Sequence, residues 1–328
     1  MKKLFIYILL LLFYFDLCLS HTHHLHDPHK EREDDGARSP RDHEHYKDGD
    51  HNADFDHEAI LGSVKEAEQF DDLPPAEAKR RLEILLKKMD RNNDNNVDRK
   101  ELHSWILRSF RMLSEEESEE RMDEIDENSD GVVTWEEYIS ETYGIKNPED
   151  IPLLEGSDRE EEQQLLKEDR QLFNAADENL DGRLDEKEFL AFTHPEEDPK
   201  MLPIILQQTL DEKDTDKDGA INFQEFVGDK GKEHDKEWLL TEKDKFDNDF
   251  DKDGDGLLTK NEILDWIVPS NEDIAEDEVA HLFASSDDDM DDVLSFSEVL
   301  SHHDVFVGSE VTDYGDHLQN LERFEDEL

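Results

Sequence analysis

A twelve-residue pattern of oxygen-bearing side chains occurs six times along this chain. The copies begin at residues 90, 126, 177, 214, 251 and 287, so successive copies start 36, 51, 37, 37 and 36 residues apart. Each copy has Asp at positions 1 and 5, Asp or Asn at position 3 and Glu at position 12. An acidic chain can match such a pattern once by accident, but six matches at nearly constant spacing indicate a structural repeat.

The spacing is that of the EF-hand loop, which joins two helices and binds Ca²⁺. Positions 1, 3 and 5 supply side-chain oxygens, position 7 a backbone carbonyl and position 12 both oxygens of a carboxylate. The predicted ligands are, in loop order, Asp90, Asn92, Asp94, Asn96, Glu101; Asp126, Asn128, Asp130, Val132, Glu137; Asp177, Asn179, Asp181, Arg183, Glu188; Asp214, Asp216, Asp218, Ala220, Glu225; Asp251, Asp253, Asp255, Leu257, Glu262; and Asp287, Asp289, Asp291, Val293, Glu298. Position 9, which often acts through a water molecule, is Asp98, Thr134, Asp185, Asn222, Thr259 and Ser295. The sequence therefore predicts up to six bound Ca²⁺ ions.

Position 6 departs from Gly in two loops, where Asn95 and Asp292 occupy it. This position needs a positive φ, which Gly adopts without strain and Asn tolerates better than most other residues. We therefore expect weaker binding in the first and sixth loops.

Apolar residues flank the loops at helical spacing, as Leu82, Leu86 and Met89 do before the first loop. This periodicity predicts an all-α fold of six EF-hands arranged as three helix-loop-helix pairs. Position 8 is aliphatic in every loop, which suits a short strand joining two loops. We predict that consecutive loops pair, so that the contacts are Val97 with Val133, Leu184 with Ile221, and Leu258 with Leu294.

Changes in composition divide the chain into seven predicted segments. These are a signal peptide (1–20), an acidic, His-rich and disordered leader (21–75), EF-hand pairs at 76–143, 166–228 and 229–303, a linker at 144–165 and a C-terminal tail (304–328). Pro148, Pro152 and a run of Glu favour the linker, and residues 228–236 form a second polar break. We expect the pairs to move relative to one another.

The charge balance is 36 Lys and Arg against 92 Asp and Glu, a net charge of −56. Such a chain repels phosphate backbones and anionic lipid surfaces, which excludes nucleic-acid and polybasic membrane binding. Carboxylates crowded in an empty loop repel one another, so we expect Ca²⁺ to order the helices as it binds. We expect dissociation constants of roughly 0.1–1 mM for most sites.

Both ends of the sequence carry predicted targeting signals. Lys2 and Lys3 precede an apolar run from Leu4 to Phe15, which predicts a signal peptide cleaved after Ser20 and no membrane insertion afterwards. The only cysteine, Cys18, leaves with it, so disulfide and thiol chemistry are excluded from the mature chain. The final residues, 325–328, read E-D-E-L, a variant of the K-D-E-L retrieval signal. We therefore expect the endoplasmic reticulum lumen, with a retrieval receptor as a partner and some leakage to the Golgi or to secretion.

Residues 21–57 contain nine histidines among many acids and no apolar periodicity. A disordered, solvated segment is the first interpretation. A low-affinity zinc or copper site is the second, because clustered imidazoles suit those ions.

Several segments, all but one of them outside the loops, add a family resemblance. Residues 56–62 (DHEAILG), 133–138 (VTWEEY), 191–197 (AFTHPEE), 266–270 (WIVPS) and 306–309 (FVGS) resemble signatures of the reticulocalbin/calumenin (CREC) family of secretory-pathway calcium binders. The match runs from about residue 54 to the end. It implies low-affinity calcium binding in the lumen, assistance to maturing proteins and no enzymatic activity.

The sequence therefore predicts a non-enzymatic calcium buffer of the endoplasmic reticulum lumen that folds on binding and assists client proteins. One alternative is a chaperone-like adaptor in which calcium is only structural. Another is a calcium sensor with a dedicated partner, which the scattered methionines disfavour because sensor grooves are rich in Met. No cysteine nucleophile, phosphate-binding glycine loop or G-x-S-x-G motif occurs in the mature sequence.

Overall fold

The computed structural model describes residues 46–47, 50–71, 73–145, 159–228, 230–268 and 270–307. Within them lie fifteen α-helices, one π-helical turn and eight two-residue strands. The helices are α1 (Ala53–Leu61), α2 (Val64–Asp71), α3 (Pro75–Met89), α4 (Arg99–Ile125), α5 (Trp135–Tyr143), α6 (Arg159–Ala176), α7 (Glu186–Thr193), α8 (Leu202–Lys213), α9 (Phe223–Val227), α10 (Lys230–Glu233), α11 (Lys236–Lys245), α12 (Lys260–Ile267), α13 (Asn271–Ser286), α14 (Phe296–Ser301) and α15 (His303–Val307). The strands are β1 (Tyr46–Lys47), β2 (Asp50–His51), β3 (Asn96–Val97), β4 (Val133–Thr134), β5 (Arg183–Leu184), β6 (Ile221–Asn222), β7 (Leu257–Leu258) and β8 (Leu294–Ser295). The predicted all-α fold of EF-hand repeats is confirmed.

Each of the six loops contributes one strand, and the strands join in three antiparallel pairs. The pairs are β3 with β8, β4 with β5, and β6 with β7. Loop 1 therefore pairs with loop 6, loop 2 with loop 3, and loop 4 with loop 5. The predicted contacts of Val97 with Val133, Leu184 with Ile221 and Leu258 with Leu294 are wrong, because Val97 faces Leu294, Val133 faces Leu184 and Ile221 faces Leu258.

Helix α4 is the physical reason for this correction. Its 27 residues contain neither Gly nor Pro, so nothing interrupts the helix between loop 1 and loop 2. At 1.5 Å per residue it is about 40 Å long. Loops 1 and 2 lie at its opposite ends, where their strands cannot meet.

The buried apolar side chains form two cores, which α4 connects. The first core joins α1–α3 and the start of α4 to α13, α14 and α15. The second core takes in the end of α4 and the hands around loops 2, 3, 4 and 5. Leu102, Ile106 and Phe110 of α4 belong to the first core, whereas Met122 and Ile125 belong to the second. Burying one such side chain fully stabilises a fold by roughly 1.5–3 kcal/mol.

The segment predicted as a disordered leader is helical in its second half. Helices α1 and α2 lie within it, and Phe55, Ile60 and Phe70 are buried in the first core. The prediction of disorder is therefore wrong for residues 53–71, because α1 packs against the exit helix of hand 1 and α2 packs against α1 and α15. The signal peptide, the histidines of residues 21–45, the linker residues 146–158 and the retrieval signal lie outside the described residues.

The predicted linker and tail each contain part of the packed structure. Helix α6 begins at residue 159, and α15 places Phe306 and Val307 in the first core. The connections at 144–158 and 228–235 join hands that pair, whereas the sequence interpretation took them as breaks between pairs. The segment boundaries themselves stay a prediction.

Candidate calcium sites

The first Asp of each loop organises the backbone around it. In all six loops its Oδ2 accepts the backbone N–H of position 6, at distances between 2.8 and 3.1 Å. Its Oδ1 accepts the N–H of position 5 at 3.1–3.3 Å. The loop is thereby folded around a carboxylate, which is the arrangement that brings positions 1, 3 and 5 to one side.

The side chains at positions 5 and 12 also accept backbone hydrogen bonds in every loop. Together with those of position 1, these bonds form what we call the hydrogen-bond frame of the loop. Oδ1 of the position-5 Asp accepts the N–H of position 7 at 2.8–3.2 Å. Oε2 of the position-12 Glu accepts the N–H of position 9 at 2.8–3.1 Å, within the capping box that begins the exit helix. The glutamate that would bind the ion therefore also sets where that helix begins.

The two loops without Gly at position 6 adopt the same backbone as the others. Asn95 has φ 66° and Asp292 has φ 67°, close to the 81–87° of the four glycines at this position. Position 4 is also left-handed in every loop. The substitutions therefore leave the loop geometry intact, and the expected weaker binding of these two loops stays a prediction.

Three loops bring three aspartates close enough together to share one ion. The groups are Asp214, Asp216 and Asp218; Asp251, Asp253 and Asp255; and Asp287, Asp289 and Asp291, each with ligand atoms within 4.8 Å of one another. Loops 1, 2 and 3 have Asn at position 3 in place of the second Asp. At positions 1, 3, 5, 9 and 12, loop 2 has three acids and each other loop has four, so loop 2 offers the least charge to an ion.

The pKa shifts follow the crowding in these groups. Loss of solvent and the charges of Asp218, Glu225 and Asp214 raise the pKa of Asp216. By contrast, hydrogen bonds from the Thr259 hydroxyl and N–H lower the pKa of Glu262, which keeps that carboxylate ionised. An ion at the loop centre would relieve the repulsion around Asp216 and would bind the ionised carboxylate of Glu262.

Hand 5 differs from the others in its entering helix. In the other five hands, the N–H of the first Asp donates to the carbonyl four residues earlier, but Asp251 donates to Phe246, five residues earlier. The π-helical turn Phe246–Phe250 absorbs this extra residue. Phe246 is thereby fully buried, as are Leu86, Phe173 and Phe283, the residues four before the first Asp of hands 1, 3 and 6. No apolar spacing signal in the sequence marked this turn.

The segments that carried the family resemblance outside the loops make the contacts between elements. Trp105 Nε1 donates to the carbonyl of Ile60 at 2.7 Å. Gly62 ends α1 with φ 68°, a left-handed backbone that favours Gly, and a Cβ there would make a tight contact of 3.2 Å with Cα of Ser109 in α4. In the second core, the Tyr138 hydroxyl donates to Asp169 at 2.8 Å.

The segment 191–197 ties hand 3 to the middle of α4. His194 Nε2 lies 3.3 Å from Oε2 of Glu117, and the Ser114 hydroxyl donates to Oε1 of Glu197 at 3.0 Å. Asn271, at the start of α13, donates to the same Glu197 oxygen at 3.1 Å. Burial alone would lower the pKa of His194, but the hydrogen bond to Glu117 and the nearby Glu196 and Glu197 outweigh it and raise the pKa. These contacts hold the two cores against each other.

Among the helices that the structure describes, none is both long and apolar enough to cross a membrane.

Comparison with known proteins identifies EF-hands in the same part of the chain, although the matched profile spans consecutive hands. The profile of the EF-hand domain pair family matches residues 79–143 and 166–228. Reticulocalbin-2 of Crotalus adamanteus is 38% identical over 285 residues, covering 85% of this chain and 93% of the relative. Reticulocalbin-2 of Mus musculus and of Rattus norvegicus are each 38% identical over 289 residues, covering 87% of this chain and 90% of each relative. With its calcium-binding EF-hands, the chain belongs to the reticulocalbin family.

Proposed function

We propose that this chain is a non-enzymatic, multi-site calcium buffer of the endoplasmic reticulum lumen that gains structure on binding and assists client proteins. The observation that carries the proposal is the hydrogen-bond frame repeated in all six loops, including the two without Gly at position 6. Six frames of one design suit a protein that holds many ions. The lumenal location rests on the predicted signal peptide and the E-D-E-L terminus.

The charge of the chain supports a buffering role. Six divalent ions would offset only twelve of the 56 net negative charges, so the filled protein stays strongly acidic. Sites that bind weakly are useful where calcium is abundant, because they release ions when its concentration falls. A sensor, by contrast, needs tight sites and a surface that opens on binding.

Calorimetric titration of residues 21–328 with Ca²⁺ in millimolar Mg²⁺, combined with circular dichroism on the same samples, tests the proposal. We expect about six submillimolar sites and a large gain of helix. Loops 1 and 6, which lack Gly at position 6, and loop 2, which offers the fewest acids, should fill after loops 3, 4 and 5. Tight micromolar sites on a chain that is already helical would overturn the buffer and favour a sensor. Absence of binding would overturn both.

A further inference from the structure

A groove of about 1200 Å³ lies between the two cores. Its walls come from α1, α2, the middle of α4, α7 with the loop that follows it, and the start of α13. None of the predicted calcium ligands lines it, although α4 and α7, which begin at loops 1 and 3, contribute other residues to its walls. The groove therefore offers a surface that the calcium sites do not use.

The floor of the groove is apolar. Phe55, Leu107, Leu113 and Leu190 line it, and the side chains of Leu107 and Leu190 are only partly buried. Val64 stands at the rim and is 45% exposed. Exposed apolar surface in a concave site favours a partner that brings apolar side chains of its own.

The walls of the groove are acidic. Ten of its 24 lining residues are Asp or Glu and three are Lys or Arg. This excess is only slightly larger than the 92 to 36 of the whole chain, so charge alone does not distinguish the groove from the rest of the surface. The distinguishing feature is the apolar floor between acidic walls, which complements a segment carrying both Lys or Arg and large apolar residues.

We propose that this groove binds a basic peptide segment of a client protein, with apolar side chains on the floor and Lys or Arg against the walls. The proposal rests on the proposed function, because it names the surface through which the calcium binder meets its clients. Acidic segments are excluded as partners because their charges would repel the wall carboxylates. Neutral segments are excluded because they would remove water from those carboxylates without supplying an opposite charge.

Both walls begin at predicted calcium loops. Helix α4 begins at the capping box of loop 1, and α7 begins at that of loop 3. The contacts of His194 with Glu117 and of Ser114 with Glu197 then fix α7 against α4 along the groove. Because the ligands Glu101 and Glu188 belong to those capping boxes, ion loss would loosen the walls and weaken peptide binding.

The test measures fluorescence anisotropy of a labelled peptide of alternating Leu and Lys in millimolar Ca²⁺. A peptide with Glu for Lys and one with Ser for Leu serve as ligand controls, and neither is expected to bind. Val64→Ser is expected to weaken binding roughly fivefold, because it removes partly exposed apolar surface. Ile84→Ser is its matched control, since Ile84 is also 45% exposed but lies outside the groove.

A second pair of variants tests the walls. Glu68→Gln with Glu120→Gln removes two charges from the groove, whereas Glu119→Gln with Glu124→Gln removes two exposed charges of α4 outside it. We expect a loss of roughly fivefold only in the first pair. Equal losses of peptide affinity in both charge pairs, or in both Val64→Ser and Ile84→Ser, would overturn the proposed groove site. They would show nonspecific attraction of the peptide to the acidic surface instead.

Calcium calorimetry of the same four variants separates the two proposals. If calcium binding is unchanged and neither groove variant loses peptide affinity selectively, the peptide-binding proposal is overturned and the calcium-buffer proposal is unaffected. Self-association that requires Val64, with no peptide binding, would also overturn the peptide proposal, by assigning the groove to a second copy of the chain.

Discussion

The two cores bury the apolar side chains of EF-hands with different parts of the chain. The second core pairs hands that follow one another, 2 with 3 and 4 with 5, and is rich in aromatic contacts such as Tyr138 with Phe192. The first core pairs hand 1 with hand 6 and adds α1, α2 and α15, which contain no loop ligands. Two hands bury less surface than four, so the first core needs these extra helices to become a folded unit.

The largest expected effect comes from disrupting the packing of α15 in the first core. Phe306→Ala should destabilise the first core by about 3–5 kcal/mol, because Phe306 is 1% exposed, and it lies outside the six loops in sequence. Hydrogen exchange should accelerate in strands β3 and β8 while β6 and β7 keep their protection. Equal acceleration in both strand pairs would show that the two cores unfold as one unit.

Coupling between paired loops sharpens the comparison further. Glu101→Gln should weaken Ca²⁺ binding in loop 1 and, through the β3–β8 pair, in loop 6 by about 5- to 150-fold, leaving loop 2 unchanged. The amide resonances of Asp292 and Gly131 report loops 6 and 2 separately in a calcium titration followed by NMR. Glu137→Gln is the control and should couple to loop 3 instead. A response of Gly131 to Glu101→Gln would favour consecutive pairing.

A buried carboxyl group makes the first core sensitive to pH. Burial and the neighbouring Glu278 raise the pKa of Asp56 to about 9. Asp56 is therefore neutral in the folded chain but ionised in the unfolded chain between about pH 4 and pH 9, and its contribution to stability is lost as the pH rises through this range.

Asp56→Asn should remove that loss. Between pH 5.5 and 8.5 the variant should gain stability over the parent chain by up to about 1.4 kcal/mol per pH unit, measured by thermal unfolding in saturating Ca²⁺. Asp54→Asn, on the same helix but exposed, should show no such trend. Parallel pH curves for Asp56→Asn and the parent chain would contradict the prediction.

The smallest expected effect concerns position 6. Asn95→Gly should change the binding free energy of loop 1 by less than about 1 kcal/mol, because Asn already adopts the left-handed backbone there. Calorimetry resolves such a change as a shift of at most about fivefold in the first-loop affinity. Gly131→Asn in loop 2 is the converse variant and should produce a shift of similar size and opposite sign.

The geometry of the loops was predictable because each predicted ligand position is set by local spacing. The frame around Asp90 or Asp251 forms within twelve residues, so a linear pattern contains all of it. Pairing was not predictable in the same way, since every loop has an aliphatic residue at position 8 and any two strands would fit. The one usable signal was the uninterrupted helical sequence of α4, which separates loop 1 from loop 2.

The helices before loop 1 were missed for a different reason. Histidines and acids dominate the composition of residues 21–57, and the short apolar sets of α1 and α2 show no long periodicity. Their order comes from tertiary packing, through contacts such as Trp105 with Ile60 and Gly62 against Ser109. The same explanation applies to the π-helical turn at Phe246, which only the surrounding core makes favourable.

The pairing of hand 1 with hand 6 also determines the order in which the chain can fold during synthesis. Val97 is made almost 200 residues before its partner Leu294. At about 5–20 residues per second, hand 1 waits roughly 10–40 s for that partner. The second core can assemble during this interval, so the first segment to emerge is among the last to be completed.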